Sequence, residues 1–146
     1  MNIEQLLKTK GVEAAVVGPD ETIGAVAQML AERNRGLALV CDPENKLLGV
    51  VSVIDISRAV GKFGARAPAM TVKTIMTRNF CSCHLTDSVE DALRRMTERH
   101  IRQMPVVEDG ILKGLLNIRG VLEARFEEAD KNAAEMREYI VGAGYH

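Results

Sequence analysis

Gly49-Val50-Val51-Ser52-Val53-Ile54-Asp55 is the stretch on which the reading of this chain turns. A glycine and β-branched apolar residues predict a buried strand over residues 47–53. A helical pattern follows from about 56 to 60. Ser52 and Asp55 therefore stand where a strand hands over to a helix. Such a pair has two uses. It can cap the helix, the serine oxygen accepting from a backbone N–H. It can also hold a polar ligand, since a helix start leaves N–H groups for an anion and a carboxylate accepts from hydroxyls. Both uses are open on local evidence.

Working outward, the same pattern occurs twice. Upstream come a short amphipathic helix over residues 2–9 ended by Gly11, a strand over 14–17 and a turn at Pro19-Asp20-Glu21-Thr22. A helix over 23–33 follows, with Ile23, Val26, Ala27 and Leu30 on one face. Leu37-Ala38-Leu39-Val40-Cys41 has no alternation and predicts a strand buried on both faces. Residues 61–74, with two glycines and a proline, read as a linker. Beyond it the order restarts: a strand near Phe80-Cys81-Ser82, a helix over 89–98, and paired strands over 104–107 and 112–118 around the turn Glu108-Asp109-Gly110.

A shift of 66 places carries Ile23, Val26, Ala27, Leu30 and Val40 onto Val89, Ala92, Leu93, Met96 and Val106. One deleted residue then brings Gly49 onto Gly114, an offset of 65. Each unit is too small to bury a core alone, so the two must pack together. The expected fold is mixed α/β (α+β): two β-α-β-β-α repeats related by a pseudo-twofold, with a short N-terminal and a longer C-terminal helix. The expected divisions are an N-terminal helix at 1–11, repeats at 12–62 and 75–126, a linker at 63–74 and a helical tail at 127–146.

Composition narrows the function. The chain has 146 residues, 47% hydrophobic and 27% charged, with a net charge of −1. That charge offers no field for nucleic acid or an anionic membrane. No apolar run reaches the length of a membrane span, and the first residues lack the pattern of a signal peptide. Three cysteines, an odd number, fit a reducing compartment, so a cytoplasmic protein is expected.

The order and doubled spacing of these motifs resemble a tandem pair of cystathionine-β-synthase (CBS) domains, a Bateman module. The residues that carry the resemblance are Asp20-Glu21-Thr22-Ile23, residues 39–42 and 47–56, Ile75-Met76-Thr77, Asp87-Ser88-Val89, residues 101–107 and Gly114-Leu115-Leu116. It covers about residues 12–126 and implies a free-standing pair. The resemblance implies binding of an adenosyl ligand (AMP, ADP, ATP, NAD or S-adenosylmethionine) between the repeats, with no catalysis and no required cofactor. It implies Asp55 on the ribose hydroxyls and Ser52 near the phosphate. It also implies Thr74, Ile75 and Met76 around the adenine, and Arg102 and Gln103 toward the phosphate.

The second repeat departs from this, with Asn117 and Gly120 in place of the hydroxyl and the carboxylate. A glycine supplies no ribose acceptor, so one competent site per chain is expected. Cys81-Ser82-Cys83-His84 is dense in metal and redox ligands, yet its spacing departs from that of structural zinc sites. No metal is expected, and a thiol or metal-responsive protein is an alternative. The seam Leu122, Phe126, Ala129, Ala133, Met136 and Ile140 has heptad spacing. It serves either a homodimer or packing on its own domain. The regulated partner is unknown, and a ligand-free scaffold is a further alternative.

Overall fold

The computed structural model describes residues 1–144; Tyr145 and His146 of the expected tail lie outside the described residues. In chain order the elements are α1 (Ile3–Lys10), β1 (Ala15–Val17), α2 (Ile23–Arg33), β2 (Leu37–Cys41), β3 (Leu47–Ser52), α3 (Val53–Phe63), α4 (Val89–Glu98), β4 (Gln103–Glu108), β5 (Ile111–Asn117) and α5 (Ile118–Gly144). The first sheet runs β1-β2-β3, with β1 parallel and β3 antiparallel to β2. The second is the antiparallel pair β4-β5.

β2 is buried on both faces because it separates two cores. Ala38 and Val40 face the α2 side, whereas Leu39 and Cys41 pack with Leu47, Leu112 and Leu115 between the sheets. The two hairpin turns meet across that layer: Leu47 N donates to Gly110 O at 2.9 Å and Leu112 N to Asn45 O at 3.0 Å.

The repeats are completed crosswise. Ile3 and Leu6 of α1 are sealed in the second repeat's core with Met96, Met104 and Leu116. Ala67 and Val72, from the segment between the repeats, are sealed in the first repeat's core with Ile23, Leu30 and Val51. The hydrogen bonds repeat the exchange: Val72 N donates to Glu21 O at 2.9 Å, and Ile3 N to Asp87 O at 2.9 Å. Glu21 and Asp87 are mates under the 66-place shift.

Three expectations need correction. The segment over 61–74 is more ordered than a plain linker, since α3 runs to Phe63 and two 3₁₀ stretches follow, Gly64–Ala69 and Val72–Thr74. Its Gly and Pro content marks tight turns that carry Ala67 and Val72 inward. The strand near 80–82 is absent; only Cys83 forms a parallel bridge, to Val106. This is the mate of the Val17–Val40 pairing in the first repeat, and Phe80 and Cys81 alternate between the layer between the sheets and the repeat's own core as Ala14 and Ala15 do in the first repeat. Finally, β3 ends one residue early and α3 starts at Val53. The β-branched Val53 and Ile54 read as strand but form the first helical turn, 49% and 63% exposed.

Candidate functional site

The early start of α3 has a local cause. Ser52 Oγ accepts from Asp55 N at 3.1 Å, and Asp55 Oδ2 accepts from Ser52 N at 2.8 Å. This reciprocal capping box satisfies two backbone donors that a helix start otherwise leaves open. Asp55 Oδ1 is directed elsewhere, 3.9 Å from Arg58 Nη1. The cap thus occupies one oxygen of the carboxylate and leaves the other to side chains. The half-buried Asp55 has one lone-pair edge uncommitted to backbone.

A cleft of about 770 Å³ opens beside this helix start. Ser52, Val53 and Ile54 form one wall, and Gly36 and Leu37, which lead into β2, adjoin it. The other repeat contributes His100 through Gln103, which lead into β4. Gly36-Leu37 and Arg102-Gln103 are mates under the 66-place shift, so the cleft lies where the two repeats meet. Their carbonyls play matching roles: Val53 N donates to Gly36 O at 3.1 Å, and Ile118 N to Arg102 O at 2.7 Å. The backbone turns into both leads through left-handed residues, Asn34 (φ 53°) and His100 (φ 54°). The cleft therefore sets exposed aliphatic side chains on one side against a guanidinium, an imidazole and an amide on the other.

The structure brings Ser52, Arg102 and Gln103 together around this cleft, and it places the other four candidates elsewhere. Asp55 stands behind Ser52, one helical turn in. Thr74 donates its hydroxyl to Thr71 O at 2.6 Å, and Ile75 and Met76 pack on the first repeat's core. Met76 lies so close to Gly49 that a Cβ there would stand 2.7 Å from its sulfur, and Thr77 exchanges both backbone bonds with Val50. Residues 74–76 thus back strand β3. Val53 and Ile54 were missed because they read as strand, and His100 because no motif position marks it.

The second repeat repeats the frame without the carboxylate. Asn117 Oδ1 accepts from Gly120 N at 3.1 Å. The place of an acid is taken by α1: a Cβ on Gly120 would lie 3.2 Å from Lys10 Cβ and 3.3 Å from Lys10 O. Lys10 Nζ then reaches Glu123 at 3.1 Å and Glu127 at 3.2 Å. The hydrogen bond to Lys10 draws the Glu123 carboxyl below its usual range, and its partner carboxylates hold the Lys10 ammonium above its own. Gly120→Asp is expected to lower stability by about 1–3 kcal/mol through overpacking against α1, and to create no second ligand site. A denaturation midpoint and a calorimetric stoichiometry check both parts.

The cysteine cluster divides. Cys83 is fully buried beside Pro105 O, and burial pushes its thiol up to about 12. Cys81 Sγ sits 3.7 Å from Met104 Sδ and 3.6 Å from Arg95 Nη2, while the exposed His84 places Nδ1 3.1 Å from Val107 O. No group of three or more His, Cys, Asp or Glu side chains among the described residues is arranged to hold a metal ion. Because the thiolate is the reactive form, Cys83 should alkylate at least about a hundredfold more slowly in the native protein than in denaturant at pH 8. Peptide mass mapping over time measures this.

The CBS domain matches this sequence twice, at residues 7–62 and 72–127. The chain belongs to the CBS-domain family. Among similar proteins, a 17.7 kDa protein from the bps2 3′ region of Acidianus ambivalens is 27% identical over 143 residues, covering 97% of this chain and 84% of that one. The CBS-domain containing protein ATU1752 from Agrobacterium tumefaciens superposes with a TM-score of 0.74 at 32% identity, covering 86% of this CBS pair and 99% of that chain. CBSX2, solved in complex with AMP, superposes at 0.73 with 25% identity, covering 88% and 98%. CBS pairs are generally regulatory modules, and no helix among the described residues of this one is long and apolar enough to cross a membrane.

Proposed function

We propose that this CBS pair senses an adenosyl nucleotide in the cleft at the start of α3, with one competent site per chain. The observation that carries this reading is the cleft itself, which sets Ser52, Val53 and Ile54 of one repeat against Arg102 and Gln103 of the other. The AMP complex of CBSX2 supports the ligand class. The exposed aliphatic pair suits the face of a purine or ribose. Arg102, unpaired among the described ion pairs and exposed, suits a phosphate. Because the walls come from different repeats, a bound ligand favours one relative placement of the two over others. That differential affinity is what a regulatory module needs to bias a protein partner.

Calorimetry with AMP, ADP, ATP, NAD and S-adenosylmethionine tests the reading. One equivalent per chain is expected. Arg102→Ala should weaken nucleotides by about tenfold, the loss of one charge-assisted contact of about 1.5 kcal/mol, while leaving adenosine itself little changed. Two equivalents would overturn the single-site assignment, and no heat with any ligand would favour a ligand-free scaffold.

A further inference from the structure

α2 and α4 end in the same way, but the residue that makes the turn differs. Arg35 N donates to Leu30 O at 2.9 Å and Asn34 N to Ala31 O at 3.2 Å. Their mates under the 66-place shift repeat this: Ile101 N donates to Met96 O at 3.0 Å and His100 N to Thr97 O at 3.3 Å. Both turns place a left-handed residue at the helix end, Asn34 at φ 53° and His100 at φ 54°. Glycine or asparagine is the usual occupant of such a turn. The second repeat carries a histidine instead, and His100 lines the cleft whereas Asn34 does not.

The imidazole stands among cations. Arg99 and Arg102 belong to its own turn, and Arg35 adjoins Gly36 on the first repeat's lead into β2. The acids of the adjoining elements are already engaged. Glu98, two residues before it, is held by Arg94 at 3.4 Å, and Asp55 by the Ser52 N–H and Arg58. At the start of α5, Arg119 holds Glu123 at 3.2 Å. Ser52, Val53 and Ile54 add no titratable group to the facing wall. Nearby cations disfavour a charged imidazole, and a phosphate in the cleft reverses that balance.

We propose that His100 is a second cationic ligand of the phosphate, beside Arg102, and that it takes up a proton as the anion binds. This rests on the nucleotide reading of the cleft and narrows it. The site then prefers adenosyl ligands that carry phosphate over S-adenosylmethionine, whose sulfonium is a cation. The sign follows from linkage: the complex holds more protons than the free protein, so affinity rises as pH falls. Histidine is the side chain that ordinarily titrates between pH 5 and 8, so the effect falls in that window.

Calorimetry on the full chain compares the parent with His100→Asn, which installs the residue that the first repeat uses at this turn. The parent should bind AMP about five- to tenfold more tightly than the variant at pH 6, the worth of one charge-assisted contact, and within about twofold of it at pH 8. Both arms use the same ligand, so the second ionisation of its phosphate, at about pH 6, cancels in the ratio. Adenosine should bind the two chains alike at either pH. At pH 7, titrations in two buffers of different ionisation enthalpy should show more protons taken up by the parent than by the variant. Circular dichroism and the melting temperature check that the variant is folded like the parent. Equal AMP affinities at pH 6, or equal proton uptake, overturn this inference and leave the nucleotide reading of the cleft in place. A parent that binds no AMP at any pH overturns both.

Discussion

Leu6→Ala is expected to lower the stability of the whole chain by about 2–5 kcal/mol, the range for a buried leucine whose cavity does not collapse. Leu6 is fully buried, yet it precedes both repeats. It packs in the second repeat's core with Met96, Met104 and Leu116, not with the strands that follow it in sequence. The damage should therefore appear far along the chain. Amide exchange should accelerate in α4, β4 and β5 before it does in α2 and β2. Val72→Ala, lying between the repeats, should do the reverse, because Val72 belongs to the core of Ile23, Leu30 and Val51. A Leu6→Ala chain whose first repeat loosens first would contradict the crosswise packing.

Asp55→Ala is expected to have the largest effect on ligand binding. If one oxygen caps α3 and the other receives ribose hydroxyls, its removal loses charge-assisted hydrogen bonds of about 1.5–3 kcal/mol, or roughly 10–100-fold in affinity. The same change removes half of the capping box and should cost about 0.5–2 kcal/mol of stability. Asp55→Asn separates the two, since its amide oxygen still accepts from the Ser52 N–H while the charge is gone. It should keep most of the stability and still bind AMP more weakly. Should Asp55→Ala lower the melting temperature but leave AMP affinity unchanged, the carboxylate is a cap alone.

The repeated architecture was legible because it rests on periodicity. The apolar positions of α2 and α4, and the doubly buried β2, are set by which side chains must leave water, and that pattern is local. Elements governed by competition between two local preferences were not legible. Val53 and Ile54 have strand-like side chains, but the capping box at Ser52 and Asp55 starts the helix beneath them, and the cap won. Phe80-Cys81-Ser82 reads as a strand and its side chains alternate as in one, yet only Cys83 forms a backbone bridge, to Val106. The candidate site was legible in part. Ser52, Arg102 and Gln103 share the cleft because each sits at a strand end, which a motif can mark. Thr74, Ile75 and Met76 do not line it, since the approach of Met76 to Gly49 is a long-range contact with no local signature.

The crosswise exchange of α1 and the 3₁₀ segment has a consequence for the order in which the chain acquires structure. A ribosome that has delivered residues 1–63 has released α1 without its destination and a first repeat without its last core residues, Ala67 and Val72. The first repeat's own core is complete only at roughly residue 77, and α1 must wait for β5 before it can dock. The unit of sequence duplication and the unit of folding are thus out of phase by about one helix. A chain divided at the boundary between its repeats would yield two halves, each carrying a piece of the other.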